Sequence, residues 1–161
     1  MDHEFSTNAL AASQVGWDWF SIQLNDNNYN SWPGTDEQAI ELMVFQIRRE
    51  DGSIDPFSSG TLIYPDGSTR FLSRQDFNIR VLDTWTSPHT KTVYPNRWQV
   101  EMPSAGLEME IEPYLTDQEL DLSFKYWEGA VKISGLIEGR EVNGSGYVEL
   151  TGYAGSVAGE F

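Results

Sequence analysis

Apolar and polar residues alternate along most of this chain with a period of two. Between Gly106 and Pro113, Leu107, Met109 and Ile111 are separated by Glu108, Glu110 and Glu112. A strand would present those residues as a core stripe on one face and carboxylates on the other, whereas a helix would mix them. Turn dipeptides fall at short intervals. Asp51-Gly52, Asp66-Gly67, Ala105-Gly106 and Glu138-Gly139 each separate two runs rich in aromatic and β-branched residues, the mark of an antiparallel meander. The pattern predicts strands near residues 15–24, 40–50, 57–64, 68–73, 76–84, 96–102, 106–112, 124–135 and 141–151. About eight to nine strands joined mostly by tight turns suit an all-β, antiparallel up-and-down barrel, since closure removes the edges a long meander would expose. Two stretches break the rhythm. Residues 25–39 form a polar excursion, with a helical turn predicted from Asp36 to Ile40 under a Thr35 or Asp36 cap. Ser87 to Asn96 carries Pro88 and Pro95 and reads as a loop.

No linker, repeat or low-complexity tract divides the 161 residues, so one domain is expected, large enough to bury a core without a disulfide or structural metal. The absence of cysteine removes thiolate catalysis, iron–sulfur clusters and zinc-finger sites. With 25 acidic and 10 basic side chains the formal charge is −15, which sets the chain against nucleic acids and anionic membrane surfaces as partners. The longest apolar run, Leu42 to Phe45, is too short for a membrane-spanning segment, and Met1-Asp2-His3-Glu4 is not the start of a secretory signal. Aromatic residues make up 13% of the chain, which points to a compact body lined by rings under a charged exterior.

Candidate chemistry lies in a few places. Asp2, His3 and Glu4 stand together, and Asp18 and Glu149 lie on strands that could face the same cavity. A histidine beside carboxylates can be held in one tautomer for acid–base work; the competing reading is a solvated terminus. In VGWDWFSIQL, Trp17 and Trp19 share one face and Asp18 shares the other with Phe20, Ile22 and Leu24. An inward Asp18 would be a carboxylate among apolar side chains, with its pKa tending upward as a proton donor requires. An outward Asp18 would leave the two tryptophans in the core, and the alternation alone leaves both readings open. Acidic residues crowd the segment from Glu101 to Glu128, where a solvated face competes with a hard-cation site. Asp26, Asn28, Asn30 and Glu37 match a calcium-loop spacing, but Ser31 replaces the turn glycine and Pro33 interrupts the loop, so no metal is expected there. Gly144-Ser145-Gly146 lacks the lysine of a phosphate loop, and no GxSxG elbow occurs.

The blocks MDHEFST, VGWDWFSIQL, LMVFQIRREDGSIDPFSSGTLI, TSPHTKTVYPNRW, YWEGAVKISG and GYVELTGY, in this order, resemble the second half of the AttH/CrtC family. This is the hydroxyneurosporene synthase or carotenoid 1,2-hydratase group of lipocalin-like (calycin) proteins. The resemblance implies a single lipocalin-like domain over residues 1–161. Residues 1–14 would carry the Asp-His block, 15–153 the barrel and 154–161 a tail, with the family's N-terminal barrel absent and Met1 internal to a longer protein. It implies a hydrophobic small molecule, isoprenoid or lipid, as ligand, and an association with an ABC transport system in the bacterial cell envelope or periplasm. The absent N-terminal barrel or a second copy would be the protein partner. The alternative it implies is a cofactor-free hydro-lyase that adds water to an acyclic isoprenoid alkene. Asp2, His3 and Phe5 match the family's aspartate-histidine-x-aromatic block. The tyrosine-x-aspartate pair expected on the next strand is replaced by Phe45, Gln46, Ile47 and Arg48, so Asp18 would have to serve as the missing acid. The expected catalytic set is Asp2, His3 and Asp18. The expected ligand-binding set is Phe5, Trp17, Trp19, Phe45, Gln46, Arg48, Trp127, Tyr147 and Glu149, the tryptophans serving as cation-stabilising walls in the enzyme reading.

Overall fold

The computed structural model describes residues 10–25, 40–122 and 125–155. The alternating runs pair there as antiparallel strands β1 (Gln14–Asn25), β2 (Ile40–Arg49), β3 (Ser59–Ile63), β4 (Thr69–Ser73), β5 (Asn78–Thr86), β6 (Val93–Met102), β7 (Leu107–Pro113), β8 (Glu119–Asp121), β9 (Lys125–Ile137) and β10 (Arg140–Thr151). They form one curled sheet in the order β4-β3-β2-β1-β10-β9-β7-β6-β5, with β8 alongside β9. The first and last long strands meet at the centre, where Asp18 to Asn25 of β1 lie opposite Leu150 to Asn143 of β10. The result is a lipocalin-like half-barrel with its first and last long strands side by side at the centre of the sheet.

Register follows the hydrophobic pattern. Phe20 faces Val44 and Val148 across its two neighbours, and Ile22 faces Leu42, all five of these residues being buried. A slip of one residue would turn the whole stripe to solvent. The β9–β10 hairpin turns on Glu138 and Gly139, whose φ angles of 49° and 77° are both positive, as a two-residue turn matched to strand twist requires.

Closure is the point of difference. β4 and β5 are consecutive in the chain but share no hydrogen-bonded ladder among the described residues. A tight turn from Ser73 to Asp76 joins them, after which β5 is irregular: its pairing with β6 shifts between Val81 and Thr84. That irregularity also explains why β6 begins at Val93 instead of near Asn96. Pro95 lies opposite Thr84 beside the bulge, where a residue without an N–H is tolerated, so the loop shrinks to residues 87–92. The three-residue β8 carries no periodic signal of its own. The polar excursion beyond Asn25, with its helical turn and its calcium-like spacing, lies outside the described residues.

Candidate functional site

Buried polar side chains gather where β1 begins and β2 and β10 end: Gln14, Asp18, Gln46 and Thr151 are all nearly inaccessible. Asp18, 1% exposed, is on the inward face with Phe20, Ile22 and Leu24, and Trp17 and Trp19 are on the outer face. Every oxygen of Asp18 is engaged. Gln46 Nε2 donates to Oδ2 at 2.9 Å, while Arg48 Nε and the Tyr153 hydroxyl each donate to Oδ1 at 3.0 Å. The Arg48 guanidinium also lies 3.8 Å over the Tyr153 ring and donates through Nη2 to the Thr151 carbonyl. Gly16, opposite Arg48 in the register, makes this reach possible: a Cβ there would lie 2.8 Å from Arg48 Nη2 and 2.3 Å from the Thr151 oxygen.

Aromatic rings continue from this cluster. Tyr153 meets Tyr94 with centroids 5.7 Å apart, and Tyr94 stacks on Trp85 at 6.3 Å. Deeper in, Phe20 meets Trp98 edge-on at 5.7 Å, and Trp98 leans on Trp127 at 6.3 Å. Trp127 fixes its indole by donating to the Thr116 carbonyl at 2.8 Å. Burial, then the charge of Asp18, push the Tyr153 phenol well above the ordinary tyrosine range. Burial and then the hydrogen bond to Glu119 do the same for Tyr94. Glu119 itself accepts from Ser87, Thr90 and Tyr94. Burial works to raise its pKa, but the three hydroxyl donors outweigh it and hold the carboxyl below its usual range.

As arranged, Asp18 accepts three hydrogen bonds. The cluster sets the Arg48 guanidinium against the Tyr153 ring, beside the buried aromatic group, an arrangement suited to orienting a polar group by charge and hydrogen bonds. Of the expected residues, the fold brings together Asp18, Gln46 and Arg48, and places Trp127 in the adjoining ring group. Trp17, Trp19, Phe45, Tyr147 and Glu149 form a separate group on the outer face: Trp19 lies between Phe45 and Glu149 in the register, Tyr147 lies opposite Ser21, and Trp17 Nε1 donates to Glu149 at 2.6 Å. Asp2, His3 and Phe5 lie outside the described residues. Tyr153, Tyr94 and Trp98 are not among the expected site residues, and Glu119 is read from the sequence only as one acid of the stretch from Glu101 to Glu128. Tyr153 follows β10 and Glu119 sits on β8, and neither position carries an alternation that would aim it inward. Along the acidic stretch, Glu110, Glu112 and Asp121 pair with Arg97, Lys132 and Lys125. Among the described residues, no three histidine or carboxylate side chains converge in a metal-binding group.

The fold is shared with solved structures. A candidate AttH from Nitrosomonas europaea matches with a TM-score of 0.73 and 34% identity over 90% of this chain and 41% of its own. Kievitone hydratase from Nectria haematococca matches with a TM-score of 0.66 and 20% identity over 91% of this chain and 42% of its own. The chain thus spans about two-fifths of the length of each. No curated protein sequence matches it. A family model described as AttH-like matches residues 1–153, and on that match, with the shared lipocalin-like fold, the chain belongs to the AttH-like family.

Proposed function

We propose that this domain binds a hydrophobic ligand, isoprenoid or lipid, whose polar end meets the Asp18–Arg48–Tyr153 cluster. The carrying observation is the cluster itself. A buried carboxylate with both oxygens engaged, beside a guanidinium that is 18% exposed, offers charge and hydrogen bonds next to the apolar core. Such a site favours a ligand with a long apolar body and one polar terminus. The relatives' greater length supports the view that the N-terminal barrel, or a second copy, completes the site. The same family reading extends to a place in the bacterial cell envelope beside an ABC transport system. Native mass spectrometry after incubation with defined isoprenoid alcohols and fatty acids tests the binding. We expect a one-to-one adduct that Arg48→Ala removes; wild-type protein that takes up neither class would sink the proposal.

A second reading is favoured by the fold shared with an enzyme named a hydratase. Here Asp2 or His3 would give a proton to one alkene carbon, water oriented by Asp18 would form the C–O bond at the resulting cation, and the proton released by that water would return to the group that gave the first. It requires a product one water heavier than the alkene. Loss of that product in His3→Ala with ligand uptake retained would support it, and no turnover by the domain joined to its N-terminal barrel would exclude it.

A further inference from the structure

The outer face of the sheet changes character along the strands. In one half, charged side chains pair across strands: Arg97 with Glu110 and Lys132 with Glu112. In the other half, a row across β2, β1, β10 and β9 reads Phe45, Trp19, Glu149, Glu128, and residues directly opposite in a ladder share a face. Trp17 and Tyr126 stand one row to one side of it, and Tyr147 one row to the other. No lysine or arginine occupies any position of these three rows between β2 and β9.

The two carboxylates are direct neighbours. Glu149 lies opposite Glu128, a like-charge pairing that weakens a sheet. Ring donors hold both: Trp17 Nε1 donates to Glu149 at 2.6 Å, and the Tyr126 hydroxyl donates to Glu128. Burial, then the charges of Glu128 and Glu149, push the Tyr126 phenol above its ordinary value, so both carboxylates bear on that ring. Neutral donors spread the negative charge without cancelling it. Tyr147 stands in the register between Ser21 and Ala130, small side chains that give it no shelter, and it is 44% exposed. Tryptophan and tyrosine at the centre of a surface are what protein contacts are built around, together with arginine. Here the rings are present and the cation is not.

We propose that this face is a docking surface for a protein partner that presents an arginine among apolar side chains, its guanidinium meeting Glu128 and Glu149 and lying against the Trp19 ring. The planar guanidinium can pair with carboxylates and stack on an aromatic face at once, which a lysine ammonium cannot. A second copy of this chain does not fit by the same face, because it would bring four carboxylates together with no cation. A free ammonium ion would cover only a small part: the three rows span about 13 Å and the four strands about 14 Å, suited to the centre of a contact of about 800 Å² on each partner. The surface lies on the face opposite Asp18, so it holds whether or not the inner cluster takes a ligand.

The test is nuclear magnetic resonance of the full chain with ¹⁵N-labelled indoles, titrated with the peptide acetyl-Leu-Arg-Leu-amide. Trp19→Phe identifies the Trp19 signal among the six tryptophans. That signal is expected to move with the arginine peptide, and the same peptide with citrulline, an uncharged isostere of arginine, should bind at least about fivefold more weakly, the weight of one well-placed exposed ion pair. Glu128→Gln should weaken the arginine peptide by the same factor, and Glu149→Gln serves if that variant does not fold. Glu108→Gln, in the charged half of the same face, should leave the affinity unchanged. A Trp19 signal unmoved at millimolar peptide, or equal affinity for the citrulline peptide, would overturn the proposal. Equal losses in the Glu108 and Glu128 variants would overturn it too, by showing that the net charge of −15 alone attracts the peptide. So would sedimentation of a dimer that Tyr147→Glu dissociates, since a second copy would then occupy the face.

Discussion

At the scale of single residues, the Asp18–Arg48 pair is asymmetric. Asp18 is 1% exposed and Arg48 is 18% exposed, so after loss of its partner only the arginine can swing its head group into water. Arg48→Met would strand the carboxylate in the interior, with Gln46 and Tyr153 as its remaining donors, and is expected to cost about 3 kcal/mol, the usual penalty for breaking a buried pair. Asp18→Asn keeps the shape and lets Arg48 turn outward, so its cost is about 1–2 kcal/mol. Urea unfolding of both variants checks the order, and a reversed order would show that Arg48, not Asp18, is the group trapped by burial. Gly16 belongs to the same unit. Gly16→Ala puts a methyl against the Thr151 carbonyl and the Arg48 guanidinium, an overpacking cost of about 1–3 kcal/mol. Because both substitutions break the same Arg48 contact, Gly16→Ala with Arg48→Met should cost less than the two singly. Strict additivity would mean that Gly16 supports the sheet rather than the arginine.

At the scale of elements, Glu119 fastens the loop at residues 87–92 to β8 by accepting from Ser87, Thr90 and Tyr94. Its pKa in the fold lies below the usual value, so its contribution is fully present above the unfolded pKa, about 4.3. It is lost as pH falls through the lower folded value. Asp55, lowered chiefly by its hydrogen bond from Gln14, acts in the same direction. Glu119→Gln should therefore flatten the fall of unfolding free energy below about pH 4.3 while leaving the Asp55 share. Parallel wild-type and variant curves would show that the loop hydroxyls hold Glu119 no better in the fold than water does. The elements legible in the sequence were those with room for alternation to show. Leu107, Met109 and Ile111 announced β7, and Asp66-Gly67 and Glu138-Gly139 fixed two hairpins. The three residues of β8 and the proline inside β6 depend on neighbours: β8 on its pairing with β9, Pro95 on the bulge opposite it. The same division runs through the site. Alternation placed Asp18 and Trp17 on opposite faces but could not say which face was inward, since that depends on whether Phe20 or the tryptophans meet the far wall. Tyr153 reaches Asp18 from beyond the end of β10, across a distance in sequence no local pattern encodes.

The whole molecule carries a formal charge of −15, and two contrasting kinds of ion pair occur among the described residues. Arg97–Glu110, Lys132–Glu112 and Lys125–Asp121 join side chains that are all at least 40% exposed, and such pairs contribute little. Arg48–Asp18 and Arg49–Asp55 bury their carboxylates, so salt screens them much less. What remains is repulsion among carboxylates without a cation. A fold of this length has a radius of gyration of about 15 Å, while the screening length falls from about 30 Å at 0.01 M salt to about 8 Å at 0.15 M. At low salt each surface charge therefore acts on most of the others; at physiological salt it acts only on its neighbours. Unfolding spreads the chain and relieves that repulsion, so the folded state is the one penalised by low salt. The melting temperature is accordingly expected to rise by a few degrees, on the order of 1 kcal/mol of stability, as sodium chloride increases over this range. Potassium chloride should give the same curve, since screening does not depend on which monovalent cation supplies it. A melting temperature that falls with salt would mean that the exposed pairs outweigh the net repulsion. A difference between the two cations would point instead to a cation held at a particular place among the carboxylates.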